Sequence, residues 1–190
     1  MKYFELTYDN RQDIQTIAEW EMGNFNLMLL WGGQPFNGSI PNDVKLFIRE
    51  GDEHLVRPDL LPNPVSWLIF SEKLLAEVHQ LIKNDIQIFE PPIYLKNGQK
   101  VKGYKLINPI YRLDCLDWEN SKSVEQNVDG TKVCFGQKSV FESCIGNHHI
   151  FMIEGCSTSQ IVIDTFLQAC QHKGLIGLAG LKCKTSRKKV

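Results

Sequence analysis

Between residues 74 and 82 the apolar side chains Leu74, Leu75, Val78, Leu81 and Ile82 recur at intervals of three and four, the spacing that lines one face of an α-helix. Ser71 and Glu72 stand just before this stripe as an N-cap and a first-turn carboxylate, which complements the helix dipole, so a helix is predicted from there to Asn84. A second stripe, Val162, Ile163, Phe166, Leu167 and Cys170, predicts a helix that begins near 157–159 and stops at Gly174. A shorter pattern over 11–20, with Ile14, Ile17 and Ala18 on one side, predicts a brief helix near the N-terminus.

Elsewhere the apolar residues alternate or run together in short blocks. Segments 3–8, 44–49, 66–70, 85–94, 132–140 and 150–153 read as strands. Pro91 and Pro92 remove two ladder donors, which makes 85–94 an edge or irregular strand, and Asn97-Gly98 is a hairpin turn signal. Residues 22–41 hold four glycines and two prolines and read as a long irregular connection. Strands outnumber helices, and the helices stand singly between strand groups. The expected fold is α+β, a largely antiparallel sheet with two main helices packed on it.

Composition adds little to that picture. With 43% hydrophobic and 23% charged residues over 190 positions, the chain can bury a sizeable core. No apolar run approaches the ~18–20 residues that span a bilayer, and Glu5 interrupts the N-terminal apolar residues before a secretory signal could form, so a cytoplasmic location is expected. The six cysteines are scattered, as small buried hydrophobes in a reducing compartment would be, and are expected as free thiols.

Charge is more informative. The net charge is −1, but the last nine residues carry five of the 21 basic side chains, leaving 16 against 22 acids, or −6, on residues 1–181. An acidic body argues against nonspecific nucleic-acid binding and favours a basic partner, although the same charge also serves solubility.

The candidate chemistry is sparse. Asp114, Asp117 and Glu119 crowd beside Trp118, without the oxygen-rich loop that a hard cation needs. Cys144 and His148 stand four apart, yet no Cys-x-x-Cys knuckle accompanies them, and the adjacent His148 and His149 would face opposite ways in a strand. Gly32-Gly33 lacks the strand, helix and Lys-Ser/Thr of a phosphate loop, and no Gly-x-Ser-x-Gly elbow is present. A metal-dependent hydrolase using Asp114, Asp117 and one of His148 or His149 stands as the catalytic alternative. Otherwise no catalytic residue, metal or cofactor is implied.

Six pieces occur in a fixed order: Asp59-Leu-Leu, Ser71-Glu-Lys-Leu74, Tyr104-Lys-Leu-Ile-Asn108, Asp114-Cys-Leu-Asp117 followed by Ser121, His149-Ile-Phe151, and Lys173-Gly-Leu-Ile-Gly177. In this order and spacing the chain resembles immunity protein family eleven, bacterial proteins encoded beside polymorphic toxins. Met152 departs from the family, which often carries Arg there. The resemblance runs from about 59 to 178, which divides the chain into an N-terminal strand and loop subdomain (1–58), an immunity-family-like α+β domain (59–181) and a basic tail (182–190).

What the resemblance implies is binding without turnover: a cognate toxin held and occluded, with no nucleic acid or membrane as partner. A nuclease suits the acidic body, because its groove is basic toward phosphate. The implied toxin contact is Asp114, Asp117, Trp118 and Glu119, an aromatic anchor among carboxylates. Ser71, Tyr104, Asn108, Ser121 and Phe151 are implied as structural positions, with Asn108 and Ser121 as turn residues. Trp118 fits an anchor and a core ring equally well.

Overall fold

The computed structural model describes residues 1–9, 13–156 and 158–187. In chain order the first elements are β1 (Tyr3–Tyr8), β2 (Ile17–Glu21), β3 (Lys45–Ile48), β4 (Leu68–Ser71), α1 (Glu72–Ile82), β5 (Ile86–Phe89), β6 (Ile93–Tyr94) and β7 (Tyr104–Pro109). They are followed by β8 (Arg112–Leu113), β9 (Val124–Gln126), β10 (Lys132–Cys134), β11 (Ser139–Phe141) and β12 (Ile150–Ile153). The last are β13 (Gln160–Ile163), α2 (Asp164–His172), β14 (Leu178–Lys182) and β15 (Lys184–Ser186). The fold is α+β, and most strand pairs are antiparallel.

A five-stranded sheet runs in the order β14-β1-β13-β12-β8, so the first strand of the chain lies between two of the last. A three-stranded antiparallel sheet, β4-β7-β5, carries α1, and a third sheet joins β2, β3 and β6. Two short pairs, β10-β9 and β11-β15, complete the structure.

Strand β4 explains how these parts cohere. Leu68 and Phe70 point into one core, with Ile107, the inner faces of both helices and the five-stranded sheet. The alternate residues Trp67 and Ile69 point into a second core with Leu46, Ile48, Ile93 and Leu106. A sheet buried on both faces needs continuous rather than alternating apolar residues, which is what 67–70 shows. Helix α1 buries Leu74, Val78 and Ile82, and α2 buries Phe166, Leu167 and Cys170.

Two predicted helices differ from the structure. Residues 17–21 form β2, because Ile17 pairs with Ile48 and Trp20 with Leu46, and the apolar face expected of a helix is used in a ladder instead. The first two positions of that expectation, 11–12, lie outside the described residues. Helix α2 starts at Asp164 rather than near 157–159, because Gln160–Ile163 is a fully buried strand held by β1 on one side and β12 on the other. Val162 and Ile163 are therefore buried as strand residues. The strand expected over 132–140 is split into β10 and β11, and that over 85–94 into β5 and β6, which belong to different sheets.

Of the structural positions, Ser71 is held by a buried carboxylate. Asp59, 6% exposed, accepts a hydrogen bond from the Ser71 hydroxyl at 2.6 Å through Oδ1 and from the Ile176 N–H at 2.9 Å through Oδ2. Its backbone N–H donates to the Ile176 carbonyl at 2.8 Å, and its carbonyl accepts from the Ser71 N–H at 2.7 Å. Ser71 Oγ in turn accepts the Leu74 N–H at 3.0 Å, so one side chain caps α1 while bound to another segment. The Tyr104 hydroxyl donates to the Pro58 carbonyl at 3.0 Å. Gly177, at φ 84°, passes so close that a Cβ there would lie 2.5 Å from Pro58 Cβ.

Asn108 lies inside β7, fully buried, rather than in a turn. Its amide donates to the Gln34 carbonyl and to Gln87 Oε1, both at 3.1 Å, and Gln87 exchanges hydrogen bonds with the Phe36 backbone. The pair therefore fastens the irregular 22–41 connection to the β4-β7-β5 sheet. Phe151 is fully buried in β12, with the Tyr3 ring edge-on at 6.3 Å.

Replacing Asp59→Ala strands a half-buried hydroxyl and a half-buried N–H without their charged acceptor, and is expected to lower the unfolding free energy by about 1–3 kcal/mol. Ser71→Ala loses an N-cap worth about 1 kcal/mol. Because the two share one hydrogen bond, urea unfolding of the double variant should show a loss smaller than the sum. An additive result would show that the two side chains act independently.

Candidate functional site

After β8 the chain makes an isolated bridge from Leu116 to Val140, then folds into a tight turn at 117–121. Asp117 builds that turn. Its Oδ1 accepts the Asn120 N–H at 3.2 Å and its Oδ2 the Asn120 side-chain amide at 2.7 Å. Its carbonyl accepts the Ser121 N–H at 3.0 Å and the Ser121 hydroxyl at 2.7 Å. Ser121 Oγ also accepts the Ser139 N–H at 2.9 Å, so Ser121 is a turn residue as expected and ties the turn to β11.

The turn carries Trp118 and Glu119 to the edge of a cavity of about 420 Å³. Leu116, Trp118 and Phe141 form its apolar wall, and Asp117, Glu119, Lys132, Ser186 and Arg187 supply its polar atoms. Trp118 is half-buried, with its ring over Gly155. A Cβ on Gly155, which has φ 76°, would lie 2.5 Å from Trp118 Cη2. One side of the ring thus packs on the protein and the rest faces the cavity.

The implied contact residues separate on inspection. Asp117 is only 3% exposed and committed to its own turn, while Glu119 and Asp114 are exposed. Asp117, Trp118 and Glu119 line the cavity together, and Asp114 is not part of its lining. The lining holds two carboxylates and two cations, so the cavity is an amphipathic recess of mixed charge rather than an acidic patch. Lys132, Phe141, Ser186 and Arg187 had no signal in the local pattern, since they reach the turn only through β10, β11 and β15.

Burial alone would raise the pKa of Asp117. The Ser186 hydroxyl close by and the two Asn120 donors outweigh it, and the carboxyl stays below its ordinary value. Ser186 Oγ is near enough to stabilise the charge but makes no hydrogen bond of good geometry. Asp117 therefore remains a carboxylate at neutral pH, an acceptor and not a proton donor.

The catalytic alternative finds no support. His148 and His149 serve Asp85: His148 Nδ1 lies 2.8 Å from Oδ1, and the His149 backbone N–H donates to Oδ2 at 2.7 Å. Tyr111 covers the His148 ring with centroids 4.1 Å apart. Among the described residues no three His, Cys, Asp or Glu side chains are grouped to hold a metal ion. All six cysteines are free. Burial pushes the Cys156 thiol to about 11 and those of Cys115, Cys170 and Cys183 to about 12, so these are not nucleophiles at neutral pH. No helix among the described residues is long and apolar enough to cross a membrane.

Two results of comparison bear on the site. A family model described as "Immunity protein family (Imm11)" matches residues 2–185, and so takes in the N-terminal third as well as the motif-bearing remainder. No curated protein matches the chain.

Gly155→Ala forces a side chain into both a left-handed backbone and the Trp118 ring, and is expected to cost about 1–3 kcal/mol. Trp118→Ala in the same chain removes the overlap, so denaturant unfolding should find the double variant less destabilised than the sum of the single ones. For Asp117, a lowered folded pKa means that its contribution is fully present above the ordinary value of 3.8 and is lost as pH falls below it. Asp117→Asn should therefore lower stability at neutral pH and flatten the stability curve below pH 3.8, where the parent protein loses this term. An unchanged acid limb would remove Asp117 from the turn's energetics.

Proposed function

The chain belongs to the Imm11 immunity protein family, and from that premise we propose that it protects a bacterial cell by binding a cognate toxin and occluding it, without turnover of its own. The observation that carries the reading is the family match across nearly the whole chain. It is supported by a recess built from the turn at 117–121, whose wall joins the apolar Trp118, Leu116 and Phe141 to charged side chains of both signs.

In this reading Trp118 is the anchor. A large ring held from behind by Gly155 presents apolar area at little entropic cost, the character of an interface hot spot. Glu119 and Asp114 are the exposed acids that meet a basic toxin surface, and a nuclease groove shaped for phosphate has that charge. Asp117 takes a positioning role, because its carboxylate is already spent on the turn. The protein acts in the cytoplasm and binds neither nucleic acid nor membrane.

Co-expression with the toxin gene adjacent to it is the direct test. The toxin alone should kill and the pair should be tolerated; a harmless product, or one equally lethal with and without this chain, sinks the reading. Glu119→Lys should slow association by roughly 3–10-fold at low salt and leave the melting temperature unchanged, as expected of a rim charge. Trp118→Ala should raise Kd by about 30-fold or more, mostly through faster dissociation. Association measured by surface plasmon resonance separates the two effects, and a normal rate for Glu119→Lys would take that residue out of the contact.

A further inference from the structure

The stretch from Lys96 to Lys105 carries four lysines, and the fold treats them in two ways. Lys96 pairs with Glu19, and Lys105 with Glu90 and Glu72. Lys100 and Lys102 have no carboxylate partner among the described residues. They line a cavity of about 310 Å³ together with Arg57, which has none among those residues either. Leu95, Gln99 and Val101 are the other described lining residues, so the cavity wall carries three cations and no acid.

The backbone explains how the three are gathered. After β6 the chain turns at Asn97-Gly98 and returns beside the strand: the Leu95 N–H donates to the Gln99 carbonyl at 2.9 Å, and the Val101 N–H to the Ile93 carbonyl at 2.8 Å. In an extended run alternate side chains share a side, so Val101 enters the smaller core while Lys100 and Lys102 both face outward. Arg57 comes from another segment, where Pro58 favours an extended backbone before it. Each wall is tied to the framework around Asp59. The Pro58 carbonyl accepts the Tyr104 hydroxyl at 3.0 Å, and the Gly103 carbonyl accepts the Glu72 N–H at 2.9 Å at the start of α1.

Three like charges around one cavity repel each other, and nothing in the packing of the fold requires them there. A concave surface lined by one sign of charge focuses its field and concentrates counter-ions, so the ligand that relieves this repulsion is an anion. Its class follows from charge and shape. A lone carboxylate brings a single charge, too little for three cations on two segments. A diphosphate brings several charges and oxygens on all sides; a guanidinium takes phosphate oxygens in pairs, and ammonium groups hold them as point charges. The volume also lies at the lower end of the ~300–1,000 Å³ range of small-molecule sites.

We propose that Arg57, Lys100 and Lys102 form a binding site for a small ligand that carries a diphosphate group. The site shares no lining residue with the Trp118 recess and stands apart from the toxin-binding reading.

NMR titration of the full chain with pyrophosphate tests it, at an ionic strength held constant with sodium chloride. The amide signals of Arg57 and of residues 99–102 should shift and saturate with a Kd below about 1 mM, and inorganic phosphate should bind at least about tenfold more weakly. Changing Lys100→Glu together with Lys102→Glu should weaken pyrophosphate binding by at least about 30-fold, while the melting temperature stays the same or rises because repulsion is relieved. The same change of charge outside the cavity, Lys122→Glu with Lys184→Glu, should leave the affinity within about twofold. A nucleoside diphosphate that binds at least about tenfold more tightly than pyrophosphate identifies the ligand as a nucleotide, and equal affinity identifies free diphosphate. Shifts that fail to saturate, or an equal loss in the Lys122 and Lys184 variant, reduce the effect to overall charge and overturn the site. Acetate binding as tightly as pyrophosphate turns the cavity into a carboxylate contact, and a single-stranded oligonucleotide binding there more tightly than either diphosphate turns it into a nucleic-acid surface; each result overturns the proposed class.

Discussion

The carboxylate of Asp59 is the point on which the rest of the structure turns. It accepts from Ser71 at the head of α1 and from Ile176 just after α2, and those two segments are more than a hundred residues apart. Nothing else among the described contacts sets the start of one helix directly against the exit of the other. The Lys173–Glu77 pair, with an exposed lysine and a half-buried carboxylate, also links them, but solvent-facing ion pairs contribute little. Since both helices lie on the same core, their relative position decides how the β4-β7-β5 sheet meets the five-stranded sheet. Buried and doubly bonded, Asp59 costs desolvation and repays it only in this one arrangement, so it selects geometry as much as it adds stability.

The two cores depend on that arrangement in different ways. The larger is closed by helices and the five-stranded sheet, whereas the smaller, around Trp67, is closed by the irregular 22–41 connection. An irregular segment has no ladder to hold it, and the amides of Gln87 and Asn108 take that part by bonding to the backbone at Gln34 and Phe36. The buried Lys138–Glu5 pair, with both oxygens at 2.8 Å and Ser159 as a further donor, does the same between β1 and the approach to β11. An apolar pair would pack there at lower desolvation cost, but it would not distinguish this register from its neighbours.

What could be read from the sequence follows from which interactions are local. Helix α1 was legible because its stripe, cap and first-turn acid all lie within twelve residues. Strands β1 and β12 were legible from aromatic and aliphatic runs. The α2 boundary was misread because Gln160–Ile163 is apolar at every position but one, and such a run is equally compatible with a buried helix and a strand covered on both sides; only the pairing with β1 and β12 decides. Residues 17–21 failed because Ile14, Ile17 and Ala18 have helical spacing, whereas the ladder to β3, which makes them a strand, comes from a distant segment. At the candidate site, Asp114, Asp117, Trp118 and Glu119 stood out as a local cluster, and Ser121 was the one residue there read as part of a turn. The other wall of the recess comes from β10, β11 and the segment after β14, so that Ser186 and Arg187, within the basic tail of the sequence reading, line the recess. Asp59 gave a motif but no mechanism, because its partners lie at both ends of the helical layer.

The placement of β1 between β13 and β14 has a consequence in time as well as in space. Strand β1 has no neighbour in its sheet until residues beyond 160 have been made. Contacts of such sequence separation slow folding, and the intervening chain must stay soluble meanwhile with an apolar strand exposed. The five-stranded sheet therefore closes around β1 only after residues 160–182 have been made, and the helices that pack on it wait for the same event.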